Sequence, residues 1–303
     1  MTEDDIIDFI KKRLKYRNRD VIVGPGDDTA VLNYDRNHYL LLTTDCIVEN
    51  IHFKRPAASF FQIGRKAMAV NLSDIASMGG LPLYALVSAG FPAGLPIKAI
   101  AKIVDGMQKM ADTYGFDIVG GNLSRSPVLF IDVSMAGKVE KKYLKLRSGA
   151  KPGDAIFVTG KLGGTLLNKH LNVMPRIKEG RKIIKSVRVN AMMDISDGLS
   201  TDLCRMVLSS GVGFRIFFGE IPVSADAVRM SRTGKDAILH ALNDGEDYEL
   251  LFTVPAGDKN KVPARVDSVP VTCIGEITKE KKCLGLSVKG KTVNIKPAGY
   301  SHF

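Results

Sequence analysis

Gly24-Pro25-Gly26-Asp27-Asp28-Thr29-Ala30 places two adjacent carboxylates in a segment whose glycines and proline fix the backbone and leave little room for a helix. Neighbouring aspartates repel, and a stretch this short and stiff cannot swing them apart. Either both face water or something positive sits between them. Taken alone, the stretch fits a solvated Asp-Asp turn as well as a cation site. Four further short motifs tip that balance: Thr43-Thr44-Asp45, Asn71-Leu72-Ser73-Asp74, Gly120-Gly121-Asn122 and Asp194-Ile195-Ser196-Asp197.

Each motif adjoins a segment with a readable period. Val21 to Val23 is a short β run leading into the first acids, and Tyr39 to Leu42 is a strand expected to deliver Thr43-Thr44-Asp45 at its end. Hydroxyls and a carboxylate grouped there form a hard-oxygen set suited to magnesium. Ser59 precedes a helical run through Ile63, Ala67, Met68, Val70 and Leu72 that ends near Met78-Gly79-Gly80. Asn71 and Asp74 share one face of it, and so apolar a helix makes a buried Asp74 costly unless a metal or a donor meets it. Leu83 to Ala89 reads as a buried strand and Pro96 to Tyr114 as an amphipathic helix stopped by Gly115. Asp117 to Val119 is a strand running into Gly120-Gly121-Asn122, whose glycines either allow close approach by a ligand such as phosphate at the strand end or simply form a tight turn. Val128 to Ala136 alternates as a sheet strand does.

Apolar periodicity lapses between Lys141 and Gly153, which sets the expected division at 1–140 and 141–303. Arg147 in that stretch is either a phosphate clamp or an exposed side chain. The second half opens with strand Ala155 to Thr159 and a glycine turn, Gly160 to Thr165, expected to open a helix; its spacing is not that of a P-loop. No G-x-G-x-x-G follows a strand, so a nucleotide here must be held by metals and scattered loops. Leu199 begins a helix that reaches Gly211, which makes N-capping the plain alternative for Ser196 or Asp197. Gly245-Glu246-Asp247-Tyr248-Glu249 sets more acids before strand Leu250 to Val254, and Val271 to Ile277 is read as the final strand. At the start of the chain, Thr2 is placed to cap a helix whose Ile6, Ile7, Phe9, Ile10 and Leu14 form one buried stripe.

The 303 residues, 45% hydrophobic and 25% charged, suit a folded chain of two domains, and the net charge of +11 favours an anionic partner. Its lysines and arginines occur in dispersed short runs without interleaved aromatics, which argues against nucleic acid. Four cysteines with neither C-x-x-C spacing nor paired histidines read as reduced thiols in a cytoplasmic protein. The acidic start is unlike a signal peptide, and the most apolar region, Ala67 to Gly90, is interrupted by Asn71, Asp74 and Pro82, so no membrane span is expected.

Together these motifs resemble the thiamine-monophosphate kinases, members of the superfamily of ATP-binding proteins related to aminoimidazole ribonucleotide synthetase. The likeness runs nearly end to end. Val48-Glu49-Asn50-Ile51-His52-Phe53, Gly245 to Leu250 and the closing Gly299-Tyr300-Ser301-His302-Phe303 narrow it from superfamily to kinase, and Pro175-Arg176 adds to it. The resemblance implies an α/β and α+β architecture. Its N-terminal mixed sheet with helices would join that of a partner as a barrel across a homodimer, and an α+β domain would follow, with ATP between the two. It further implies that Asp28, Thr43, Thr44, Asp45, Asp74, Asn122, Asp194 and Asp197 hold several magnesium ions, Asp74 and Asp197 being catalytic. Gly121, Asn122, Arg147 and Ser196 would contact ATP, and His52, Glu246 and Tyr300 thiamine monophosphate. Asn122 stands where the family has aspartate, an acceptor without charge. The reaction implied is direct in-line transfer from ATP to the phosphate of thiamine monophosphate. Other superfamily enzymes, or a non-catalytic magnesium-nucleotide binder, are the alternatives. A selenophosphate synthetase would show a reactive cysteine beside a lysine early in the chain, and a carbamoyl dehydratase a C-terminal cysteine.

Overall fold

The structure, a computed structural model, describes residues 3–286 and 290–300. Thr2, Ser301, His302 and Phe303, all invoked above, lie outside the described residues. A first sheet of six strands is built from β1 Val21–Val23, β2 Ala30–Asn33, β3 His38–Val48, β4 Leu81–Phe91, β5 Asp117–Arg125 and β6 Phe130–Glu140, in the order β1-β2-β3-β6-β4-β5. Within it only β4 and β5 run parallel. β6 shows the two-residue period of a half-covered sheet: Ile131, Val133, Met135 and Val139 are buried, and the residues between them face the other way.

Three helices accompany this sheet: α1 Glu3–Lys11, α2 Phe60–Ser77 and α3 Ile97–Tyr114. Ser59 and Gln62 form a reciprocal capping box at the start of α2, and Gly115 ends α3 in the left-handed conformation, as their sequence positions lead one to expect. α2 is buried almost all round, including Lys66, Asn71 and Ser73. It crosses α3 at a point where the backbones touch. A Cβ on Gly64 would fall 1.9 Å from the Ile103 carbonyl oxygen, and one on Gly106 would fall 2.1 Å from that of Phe61. Gly64→Ala must therefore push the helices apart. The expected cost is roughly 2–3 kcal/mol, a fall in thermal midpoint of about 5–10 °C. An unchanged midpoint in a calorimetric scan would show that the crossing has room.

The second sheet gathers β7 Ala155–Thr159, β8 Ala191–Asp194, β9 Gly213–Phe217, β10 Leu250–Val254, β12 Val269–Thr278, β13 Cys283–Leu286 and β14 Thr292–Asn294 in the order β14-β13-β9-β12-β7-β10-β8, with β11 Arg265–Val266 paired to β12. Helices α4 Ile177–Ser186, α5 Leu199–Ser210, α6 Ala225–Met230 and α7 Gly234–Asn243 complete this half. The largest buried cluster does not stop between the halves: it runs from Val31 and Leu41 through α2 to Met192 and Phe252. Buried charges are paired there. Arg176 holds Glu249 at 2.7 and 2.6 Å, and Arg181 holds Glu140 at 2.6 and 2.7 Å. Among the described residues, no helix is long and apolar enough to cross a membrane.

Several local expectations are corrected. β3 does not end before Thr43-Thr44-Asp45 but runs through it, because its ladder to β6 is unbroken from His38↔Glu140 to Val48↔Phe130. Gly120-Gly121-Asn122 is likewise no turn. It lies inside β5, paired to Leu86, Val87 and Ser88, and glycine is needed at 121 because a Cβ there would fall 1.8 Å from the Val87 carbonyl oxygen. Gly160 to Thr165 leads only into a single 3₁₀ turn, Thr165–Leu167. β12 is not the final strand, since β13 and β14 follow. α1 does not bury its stripe: Phe9 and Ile10 are about half exposed, and Leu14 lies beyond the helix end.

Candidate active site

A cavity of about 680 Å³ opens where the two halves meet, and the acids of four of the five motifs reach it from separate elements. Asp27 and Asp28 come from the loop before β2, Thr43, Thr44 and Asp45 from β3, and Asp74 from α2; Asp194 ends β8, and Ser196 and Asp197 lie in the loop that follows it. Arg147, His52, Glu246 and Tyr300 line the same space. Gly121 and Asn122 are not part of this lining. They lie on exposed β5 at the edge of the sheet, two strands removed from β6 and three from β3.

Hydrogen bonds fix the acids in place. The Asp45 amide donates to Asn71 Oδ1 at 3.1 Å, the Thr43 hydroxyl donates to the Asp74 carboxylate, and the Ser73 hydroxyl donates to Asp194 Oδ2 at 2.5 Å. Thr44 sits between two inward residues of a strand and so turns its hydroxyl to the other face, donating to Asp132 Oδ1 at 3.0 Å. Arg147 Nε donates to Asp28 Oδ1 at 2.7 Å, and its backbone N–H reaches both Asp27 oxygens at 3.2 Å. Arg147 is thus neither free nor fully exposed; it bridges the two halves of the cavity wall.

Crowding of negative charge dominates the electrostatics. Burial, with Asp28 beside it, pushes Asp27 up to about 7; burial, with Asp197, Asp132 and Asp28 around it, pushes Asp45 up to about 7 as well. Burial and neighbouring carboxylates hold Asp74 and Asp194 well above the usual carboxylate range. N-capping does not account for Ser196 or Asp197, because the cap position of α5 is Gly198 and no side chain caps it. Asp197 is instead held by Arg205, which also reaches Asp202 Oδ1 at 3.2 Å, while the Asp197 amide donates to Asp202 Oδ2 at 3.0 Å.

Two turns complete the cavity wall beside the Asp197 loop. Val48 N–H donates to His52 Nδ1 at 3.0 Å, so the neutral ring carries its proton on Nε2. Glu246 and Tyr248 adopt left-handed φ of 54° and 49°, which side chains other than glycine seldom take. The surroundings enforce it: Glu246 N–H donates to the Ser196 carbonyl at 2.6 Å and Tyr248 N–H to that of Ile195 at 2.8 Å. Tyr300 N–H donates to the Asp197 carbonyl at 3.1 Å, which ties the end of the described chain to the same loop. Lys66, wholly buried, donates from Nζ to Glu246 Oε1 at 2.6 Å and to the His52 carbonyl at 2.8 Å.

The donor set suits a hard divalent cation. Asp28 Oδ2 and Thr29 Oγ1 are buried without a hydrogen-bond partner, and clustered carboxylates gain most from positive charge. Among the described residues, no three His, Cys, Asp or Glu side chains already close around one metal position. Reading the sequence by motif gave Asp27 and Tyr248 no separate role and missed Asp202, Arg205 and Lys66. The last had a signal: it stands four and eight residues before Val70 and Asp74 in α2, both cavity-lining, so one helix face carries all three.

Comparison with known proteins agrees with this arrangement. Family models describing AIR synthase related proteins match at residues 26–139 for the N-terminal domain and 151–284 for the C-terminal domain. The thiamine-monophosphate kinase of Rhodopirellula baltica is 36% identical, with 93% of this chain and 92% of that protein covered. That of Aquifex aeolicus is 35% identical over 99% and 98%. Among solved structures, AaThiL complexed with AMPPCP and TMP superposes with a TM-score of 0.86 at 34% identity, covering 100% of this chain and 97% of that one. The hydrogenase maturation protein HypE in complex with ATP, 18% identical with a TM-score of 0.69 over 93% and 90%, shares the fold. With both family models matched and full-length kinase relatives above 30% identity, the chain belongs to the thiamine-monophosphate kinase family of AIR synthase related proteins.

Proposed function

We propose that this protein phosphorylates thiamine monophosphate to thiamine diphosphate at the expense of ATP, as a phosphotransferase whose acceptor is itself a phosphate group. The observation that carries this reading is the convergence of Asp28, Asp45, Asp74, Asp194 and Asp197, up to 169 residues apart in sequence by their numbering (197 − 28), on one cavity that also holds Arg147, His52, Glu246 and Tyr300. Magnesium ions held by those carboxylates, with the Thr43 hydroxyl as a neutral oxygen donor, would neutralise charge on the triphosphate.

The side chains supply the rest. Arg147 and Ser196 meet ATP phosphates in the cavity, Gly121 and Asn122 could reach ATP only in the cavity of a second copy across the homodimer, and Asp74 and Asp197 fix the geometry at the transferring group. The second pKa of a phosphate monoester is about 6, so the attacking oxygen arrives ionised and needs no base. Direct in-line transfer without a phosphoenzyme follows. His52, Glu246 and Tyr300 hold the organic half of the acceptor. The division at 140 and 141 falls between the two sheets. Leu42, Tyr84, Leu86, Val119 and Leu123 expose 40–72% of their surface on the first sheet, and a second copy of the chain covering them in a homodimeric barrel is the assembly we favour. Four free cysteines support a cytoplasmic setting.

Purified protein incubated with ATP, magnesium and a panel of phosphate acceptors is expected to form thiamine diphosphate and ADP in equal amounts, followed by chromatography. Turnover of another acceptor with none of thiamine monophosphate would move the protein elsewhere in the superfamily.

A further inference from the structure

Lys66 is an expensive residue where it stands. It is 0% exposed, and a buried ammonium costs several kcal/mol unless well paired; an apolar residue of similar size often serves stability equally well. Burial pulls this lysine below its ordinary range, and Glu246 opposes the shift. Its two partners do not lie in the hydrophobic core. They are Glu246 Oε1 at 2.6 Å and the His52 carbonyl at 2.8 Å, and both residues line the cavity, where the Glu246 N–H is also tied to the Ser196 carbonyl at 2.6 Å. Glu246 is held in a left-handed conformation, φ 54°, so its carboxylate is aimed by backbone strain as well as by the lysine. Lys66 and Asp74 lie two turns apart on one face of α2, about 12 Å along the axis at 1.5 Å per residue.

We propose that Lys66 is a positioning residue for the acceptor: it engages one oxygen of Glu246 and clamps the His52 turn, so that the other carboxylate oxygen meets the amino group or cationic ring of the substrate's organic half. This rests on the reading of the protein as a thiamine-monophosphate kinase. A carboxylate anchored on one side loses less freedom when it takes a second donor, and it discriminates more sharply between molecules that carry that donor and those that do not. The lysine makes no contact with ATP in this arrangement and acts on one substrate alone.

Steady-state kinetics on Lys66→Met, Glu246→Gln and the double variant test it. Lys66→Met is expected to raise the KM for thiamine monophosphate at least tenfold while leaving that for ATP within twofold. Glu246→Gln should do the same, and the double variant should be little worse than either single one, because the two side chains act as a unit. A thiamine monophosphate KM within threefold of wild type, parallel rises in both KM values, or multiplying effects in the double variant would each overturn the assignment and leave Lys66 a structural ion pair. Should Lys66→Met fail to fold, Lys66→Arg decides, since it keeps the charge but moves the donor: a tenfold selective rise sustains the inference and a value within threefold ends it. Wild-type protein that makes no thiamine diphosphate defeats the functional reading itself, and this inference falls with it.

Discussion

Asp74→Asn is expected to lower kcat by a factor of roughly 10²–10³, the loss of about 3–4 kcal/mol of transition-state stabilisation. Folding should survive. The amide keeps the volume of the carboxylate and an oxygen to accept from Thr43, and it removes a charge that sits among Asp45, Asp194 and Asp28 in a buried position. The thermal midpoint in chelator should therefore hold or rise. This opposition, less activity without less stability, separates a ligand of the reaction from a structural acid. Asp197→Asn should reduce kcat to a similar extent, with the difference that it releases Arg205 from its ion pair. Near wild-type turnover in either variant would make that aspartate structural.

The crowded acids should also make the metal-free fold sensitive to pH in an unusual direction. Asp27 and Asp45 are raised from 3.8 to about 7, and Asp74 and Asp194 lie well above their ordinary value. Below about pH 4 these groups are protonated in both folded and unfolded chains and cost nothing. As pH rises through 7, the unfolded chain has already released protons that the fold retains, so stability falls. One such shift is worth roughly 4 kcal/mol, on the order of 10 °C in midpoint for a chain of this size. Glu140, drawn down to about 2, and Glu249, drawn below its ordinary value, are both held ionised by arginines; they lose charge only at lower pH and do not mask the trend. Midpoints measured from pH 5 to 8 should fall in chelator and level out in millimolar magnesium, which binds the ionised fold. A flat profile in chelator would mean that the acids are not crowded as described.

Much of this arrangement was legible in the primary structure. The extents of α2, α3 and α5 followed from apolar spacing, the Ser59 cap and stops at Gly115 and Gly211, all local signals. The β7 and β10 ranges, five buried residues each, were equally plain. β3 was harder to read: Thr43, Thr44 and Asp45 look like a strand terminus because polar residues usually mark one, yet the ladder to β6 continues past them into a functional cavity. Strand pairing is a long-range property, and a local window cannot register it. The same limit concealed β5, whose glycines are needed for close approach to β4 and form no turn. Lys66, Arg205 and Asp202 escaped because their roles depend on partners 180 residues away, as for Lys66 and Glu246, or on which face of a helix meets a loop.

The rigid seating of α2 against α3, backbone on backbone, has a consequence for selectivity. Lys66, which holds Glu246, and Asp74 ride on that one inflexible rod, so the interval between those two side chains' attachment points is set by the helix itself. Selection would then be by reach. An acceptor held at Glu246 would have to match the interval so fixed for its reacting oxygen to arrive at Asp74.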